Sequence, residues 1–242
     1  MKVNKQKDLK ILFIGKADDF YSRQAADFVL VHYPTAEIIF SERQQPFPDE
    51  LFNWKGDLII SYLSQWIIPG TLLKKAAIAA LNFHPGPPAY PGIGCTNFAI
   101  YDNVDEFGVT CHHMAAKVDT GQIVAVKRFP VYETDTVYSI TQQCYNHILD
   151  MFYDIFSLVM NGKNIPVSEE IWERKPYLRK ELDDLCKLTP EMDIAEIERR
   201  IKATHYIQPW AFMQLGNKSI KLSEDDIKTR RYLAFLSQPN MS

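Results

Sequence analysis

Short apolar runs alternate with longer stretches whose apolar positions recur at helical spacing. Leu9 to Gly15 (LKILFIG) predicts a buried strand, and Asp19 to His32 an amphipathic helix after it. Further strands are expected at Glu37–Phe40, Asp57–Tyr62 (DLIISY), Ala77–Phe83 (AIAALNF), Gly108–Met114 (GVTCHHM) and Gln122–Tyr132. Pro69 is placed to open a short helix (PGTLLKKAA), and Thr96 to Tyr101 reads as another. Thr134 or Asp135 can cap a long helix that runs to Met160 and stops at Asn161-Gly162. Strand and helix in alternation imply an α/β protein with a Rossmann-like, mixed but mainly parallel sheet.

From Glu181 charged helix formers take over, with Pro190 opening a helix through Ala203. HYIQPWAF follows, then a hairpin, FMQL-GN-KSIKL, turning at Gly216-Asn217. A hairpin with one apolar face is marginal alone, so it must pack on the main domain or on a second copy of the chain. The division expected is an α/β domain over residues 1–180 and a small helix-plus-hairpin extension over 181–242.

Composition narrows the partners. A net charge of −3 without a basic stripe argues against nucleic acid. No apolar run approaches the ~20 residues of a membrane helix, and MKVNKQKDLK has no signal-peptide core, so a cytoplasmic protein without membrane contact is expected. Cys95, Cys111, Cys144 and Cys186 are scattered, which indicates neither a disulfide framework nor a zinc site. The turn after the first strand is GKADDF rather than G-x-G-x-x-G, which excludes a nicotinamide enzyme of the usual kind.

The chemistry gathers in LNFHPGPPAYPGIGCTNFAIYD, Leu81 to Asp102. Alternate side chains of a strand share a face, so Asn82 and His84 point the same way at its carboxyl end. The Pro- and Gly-rich stretch behind them can continue neither strand nor helix. An amide and an imidazole at that position mark a ligand site in an open α/β sheet; the plainer alternative is that they tie down the loop. Asp119, in KVDTGQI after the next apolar strand, supplies a carboxylate. His112 and His113 alternate in face and cannot chelate one metal ion together, so no metal is expected.

NFHPGPPAYPGIGCTNFAIYD and GVTCHHMAAKVDTGQI, with SYLSQWIIP before them, resemble the formyltransferases that use 10-formyltetrahydrofolate. The resemblance spans roughly the first 165 residues. It implies Asn82, His84 and Asp119 as the catalytic residues and 10-formyltetrahydrofolate as the formyl donor. It implies too that backbone around Gln65, Trp66 and Ile67, and around Ala115, Lys117 and Val118, lies against the pterin. His112 matches a histidine of the family's strand, either supporting the site or packing the core.

The PGIGC loop is most similar to enzymes that formylate nucleotide-linked amino sugars, which implies such a substrate, first of all dTDP-4-amino-4,6-dideoxyglucose. Pro91, Gly94, Tyr206, Trp210 and Phe212 are the candidate substrate contacts; the aromatic–proline motif can equally clamp the tail to the main domain. A homodimer is expected through the hairpin. Methionyl-tRNA and glycinamide ribonucleotide are alternative acceptors, disfavoured by charge and by GKADDF respectively. A covalent route through Cys95 or Cys111 lacks an oriented base, and a folate- or nucleotide-binding module with a degenerate site leaves the intact trio without a purpose.

Overall fold

The computed structural model describes residues 8–189, 191–206, 211–215 and 218–221. The first half of the chain alternates as the apolar pattern predicts. Strand β1 (Ile11–Lys16) leads to helix α1 (Phe20–His32), β2 (Glu37–Ser41), a 3-10 turn (Asp49–Asn53), β3 (Gly56–Tyr62), the short α2 (Gly70–Leu73) and β4 (Ala76–His84). Next come α3 (Cys95–Asp102), β5 (Glu106–His113), β6 (Ile123–Pro130) and the long α4 (Val137–Met160). After these lie α5 (Arg179–Cys186), β7 (Lys187–Leu188), α6 (Ile194–Thr204), β8 (Phe212–Leu215) and β9 (Lys218–Lys221).

Six strands form one sheet in the order β2-β1-β3-β4-β5-β6. Pairing is parallel from β2 to β4 and turns antiparallel between β4 and β5. This is the mixed, mainly parallel sheet expected. Alternation along the strands divides the core. Leu12, Ile14, Ile59 and Ala80 face a cluster with Leu51, Trp54, Ile68 and Leu72. The opposite side carries Phe13, Tyr62 and Phe83 against Phe152 of α4, ring centroids 5.4–6.2 Å apart. Each such fully buried ring removes enough apolar surface from water to stabilise the fold by about 2 kcal/mol or more.

Two helix starts fall later than their sequence signals. Ser139 N–H donates to Thr136 Oγ1 at 3.1 Å, and Thr136 N–H donates to Ser139 Oγ at 2.9 Å, so α4 is capped by Thr136 rather than Thr134 or Asp135. Asp135 instead accepts from the Ser139 hydroxyl at 2.7 Å. Helix α6 begins at Ile194, where Asp193 Oδ1 accepts from Glu196 N–H at 2.8 Å; Pro190, the expected opener, lies outside the described residues. The end of α4 is as expected: Gly162 takes a φ of 64°, and the N–H groups of Gly162 and Lys163 return to Val159 and Leu158 carbonyls.

The described residues cluster into two compact units. One holds those up to Gly92 with Phe107–Phe129 and Gln142–Pro176; the other holds Ile93–Glu106, Pro130–Thr141 and those from Tyr177 on. In the second unit β8 pairs antiparallel with β9, the hairpin read from sequence, and β7 adds a parallel strand; Gly216-Asn217, the expected turn, lies outside the described residues. Among the described residues no helix is long and apolar enough to cross a membrane.

Candidate active site

Ala80, Asn82 and His84 share one face of β4, and the antiparallel register sets Asn82 opposite His112 and His84 opposite Thr110. Opposed residues in such a pair bring their side chains into contact, and the Asn82 amide nitrogen lies 3.0 Å from His112 Nε2. Asp119 completes the group from the loop after β5. Its Oδ2 is 3.3 Å from His84 Nδ1 and its Oδ1 is 3.2 Å from His112 Nε2. His84, His112 and Asp119 are buried, each 5 % exposed or less, and Asn82 is half-buried.

The loops that deliver these groups are held through backbone. Thr110 donates its hydroxyl to the Gly86 carbonyl at 2.8 Å, and Tyr90 N–H donates to Pro87 O at 2.9 Å. Gly92, at a φ of 89° that few side chains tolerate, turns its N–H to Asp119 Oδ2 at 2.8 Å. Asp119 itself takes a φ of 45°. Gly121 admits no side chain, since a Cβ there would stand 1.7 Å from the His113 carbonyl oxygen.

The hydrogen bonds fix where protons sit. His84 Nε2 lies 3.0 Å from the Tyr90 carbonyl and His112 Nδ1 lies 2.9 Å from the His113 carbonyl. A carbonyl only accepts, so both nitrogens carry hydrogen and the other nitrogen of each ring faces the carboxylate. A neutral ring turns a lone pair to Asp119, whereas an imidazolium donates to it. Burial pushes Asp119 upward, but the charges of His84 and His112, the His112 hydrogen bond and the Gly92 N–H outweigh it and hold the carboxyl well below its usual range.

The loop after β5 comes near the start of α2, where a Cβ at Gly70 would lie 3.6 Å from Ala116 Cβ. Ala115, Lys117 and Val118 are exposed on one loop, and Gln65 and Ile67 on the other. Gln65 N–H donates to Ser41 Oγ at 2.8 Å. The Trp66 ring packs on Phe47 and donates its Nε1–H to Gln45 O at 3.1 Å, so its side chain serves the loop's own structure. Pro91 is buried beside Gly92, and Gly94, with a φ of 72°, opens α3. Tyr206 is half-buried with its ring 5.3 Å from Tyr138, and Phe212 opens β8; Trp210 lies outside the described residues.

Cys111 is fully buried and desolvation drives its thiol far up, which removes it as a nucleophile. Among the described residues no group of His, Cys, Asp and Glu is arranged to hold a metal ion. Trp172 was not singled out by sequence. Its Nε1–H donates to Gly121 O at 2.8 Å, and its ring meets His112 edge to face at 5.0 Å and His84 at 6.0 Å. An isolated Trp in SEEIWERKPY carries no spacing signal that could have found it.

The mixed sheet thus ends an Asn-x-His strand against a buried carboxylate, an amide, an imidazole and an acid gathered as group-transfer chemistry requires. The chain belongs to the formyl transferase family, whose sequence profile matches residues 12–151, more than half of its length. It is 29% identical over 177 residues to the GDP-perosamine N-formyltransferase of Brucella melitensis, covering 72% of this chain and 67% of that protein. In structure it is similar to a sugar N-formyltransferase from Shewanella sp. FDAARGOS_354, with a TM-score of 0.71 at 16% identity over 89% of this chain and 96% of that one. An N-formyltransferase from Helicobacter canadensis, solved with folinic acid and dTDP-3-aminofucose, aligns with a TM-score of 0.63 at 16% identity over 90% and 97% of the two chains.

Proposed function

We propose that this chain moves a formyl group from N10 of 10-formyltetrahydrofolate to the amino group of a nucleotide-linked amino sugar. The observation that carries the reading is the meeting of Asn82, His84 and Asp119 at the carboxyl end of β4. The folinic acid complex of the Helicobacter protein supports a folate donor, and the Brucella relative supports a sugar acceptor. From the PGIGC loop we put dTDP-4-amino-4,6-dideoxyglucose first, with GDP-perosamine and dTDP-3-aminofucose as the acceptors to set beside it.

The acceptor nitrogen attacks the formyl carbon, a C–N bond forms and the carbonyl oxygen gains charge. Asn82 donates its amide N–H to that oxygen, a pre-placed dipole typically worth about 3 kcal/mol. His84 takes the proton released by the amine and returns it to N10 as the C–N10 bond breaks, giving the N-formyl sugar and tetrahydrofolate. To do so the neutral ring must carry its hydrogen on Nδ1, donated to Asp119, so that Nε2 gives up the Tyr90 carbonyl and offers its lone pair to the amine or a bridging water. Asp119 stays ionised at Nδ1 and stabilises the imidazolium.

The open backbone around Gln65, Trp66, Ile67, Ala115, Lys117 and Val118 receives the pterin. Pro91, Gly94, Tyr206, Trp210 and Phe212 serve the acceptor. The hairpin joins two copies of the chain, a role supported by the 45% exposure of Ile220 on β9, which lies at one edge of its sheet.

Incubation with 10-formyltetrahydrofolate and a panel of nucleotide-amino-sugars, glycinamide ribonucleotide and initiator methionyl-tRNA tests the reading by tetrahydrofolate release. Release with an amino sugar is expected. Release only with tRNA or glycinamide ribonucleotide replaces the acceptor, and folate binding without release in any arm replaces the enzyme by a binding module.

A further inference from the structure

We propose that Trp172 is a positioning residue that keeps the Asp119 carboxylate between its two imidazoles and shields the group from water. The inference rests on the transferase reading above. Trp172 belongs to an irregular segment following α4, and that segment is tied to the site side of the sheet at successive points. Ser168 N–H donates to Ile123 O at 2.9 Å and Gln122 Nε2 donates to Ser168 O at 3.0 Å. Arg128 grips the Glu170 carboxylate with both terminal nitrogens. Glu173 N–H donates to Pro88 O at 3.1 Å, in the loop that follows His84. The segment therefore bridges β6, the loop carrying Asp119 and the loop leaving β4.

The Asp119 loop needs such support. Its carboxylate residue has a left-handed φ of 45°, a conformation that persists only where the surroundings hold it. The Trp172 Nε1–H grips the Gly121 carbonyl, two residues from Asp119. The same indole stands edge to face with His112 and reaches His84. One side chain thus contacts both rings that flank the carboxylate and the backbone that presents it. By covering the charged group it also keeps the local dielectric low, which strengthens each of those contacts.

Two variants separate the contributions. Trp172→Phe keeps a ring and drops the hydrogen bond; Trp172→Leu drops both. Per folded molecule, kcat is expected to fall about tenfold in the first and about a hundredfold in the second, with KM for folate and acceptor within about twofold of wild type. The 15N resonances of the His84 and His112 ring nitrogens report which nitrogen carries hydrogen and respond far more to that than to a neighbouring ring current. They should move in both variants, a signature independent of turnover. Unchanged kcat per folded molecule, or a loss confined to KM, overturns the proposal. If the wild-type protein transfers no formyl group, the function is at fault, and the resonances alone then decide: unmoved rings overturn the positioning role as well.

Discussion

Asp119 owes its low carboxyl value to two imidazoles and one backbone N–H, all contributed by neighbouring loops and strands. Because the folded carboxyl titrates below its unfolded value of ~3.9, it stabilises the fold above that pH, and the contribution is lost as acid carries the solution down through the folded value. Asp119→Asn is therefore expected to lower the melting temperature near neutral pH, and the gap to wild type should begin to narrow only below pH ~3.9, closing as acid approaches the folded value, as thermal scans from neutral pH downward will test. His84→Asn should reduce formyl transfer roughly 10²- to 10⁴-fold while nucleotide-sugar affinity, measured by calorimetry, stays nearly intact. Retained turnover removes His84 from the mechanism. Asn82 and His84 were readable in the sequence because strand alternation and a loop of Pro and Gly put them at one strand end; Asp119 was legible from its place after the next apolar strand and from the family resemblance. The partners of His84 and Asp119 at Tyr90 and Gly92 were not, since they act through backbone groups that any residue carries. Nor was the seat of His112, which depends on the β4–β5 register.

At the scale of elements, β4 is the seam of the sheet: β3 runs with it and β5 runs against it. The Asp119 loop leaves β5 opposite Leu81 of β4 and returns its carboxylate to His84 of that strand and His112 of its own. That loop tolerates little alteration. Gly121→Ala drives a methyl into the His113 carbonyl, so the variant should lose activity and several degrees of thermal stability together. Wild-type values for both would show that the loop relaxes freely. At the head of α4, Thr136→Ala removes one half of the reciprocal cap and should cost about 1 kcal/mol in urea unfolding. The existence and type of the longer elements followed from their apolar periodicity. Their starts did not, because Thr134, Asp135 and Thr136 all bear capping oxygens and only packing selects which one is used. Trp172 stayed invisible for a related reason: it lies in an irregular segment, where no period marks the inward positions.

For the whole molecule, the chain passes between its two compact units at residues 92/93, 106/107, 129/130, 141/142 and 176/177. Neither unit is a continuous stretch of sequence, and α4 itself runs from one into the other. A single calorimetric unfolding transition is the expected outcome; two resolved transitions would show the units to be independent. The dimer expected through the hairpin has its own check, since Ile220→Lys should shift sedimentation towards monomer, and an unaltered dimer would place the interface elsewhere. The interleaving also bears on synthesis. His84, Asp119 and Trp172 leave the ribosome far apart in time, and the strand that ends in His84 waits, with one edge unpaired, for β5 to appear. A nascent chain stalled after β4 and before β5 should hold an open sheet edge, the kind of surface chaperones recognise.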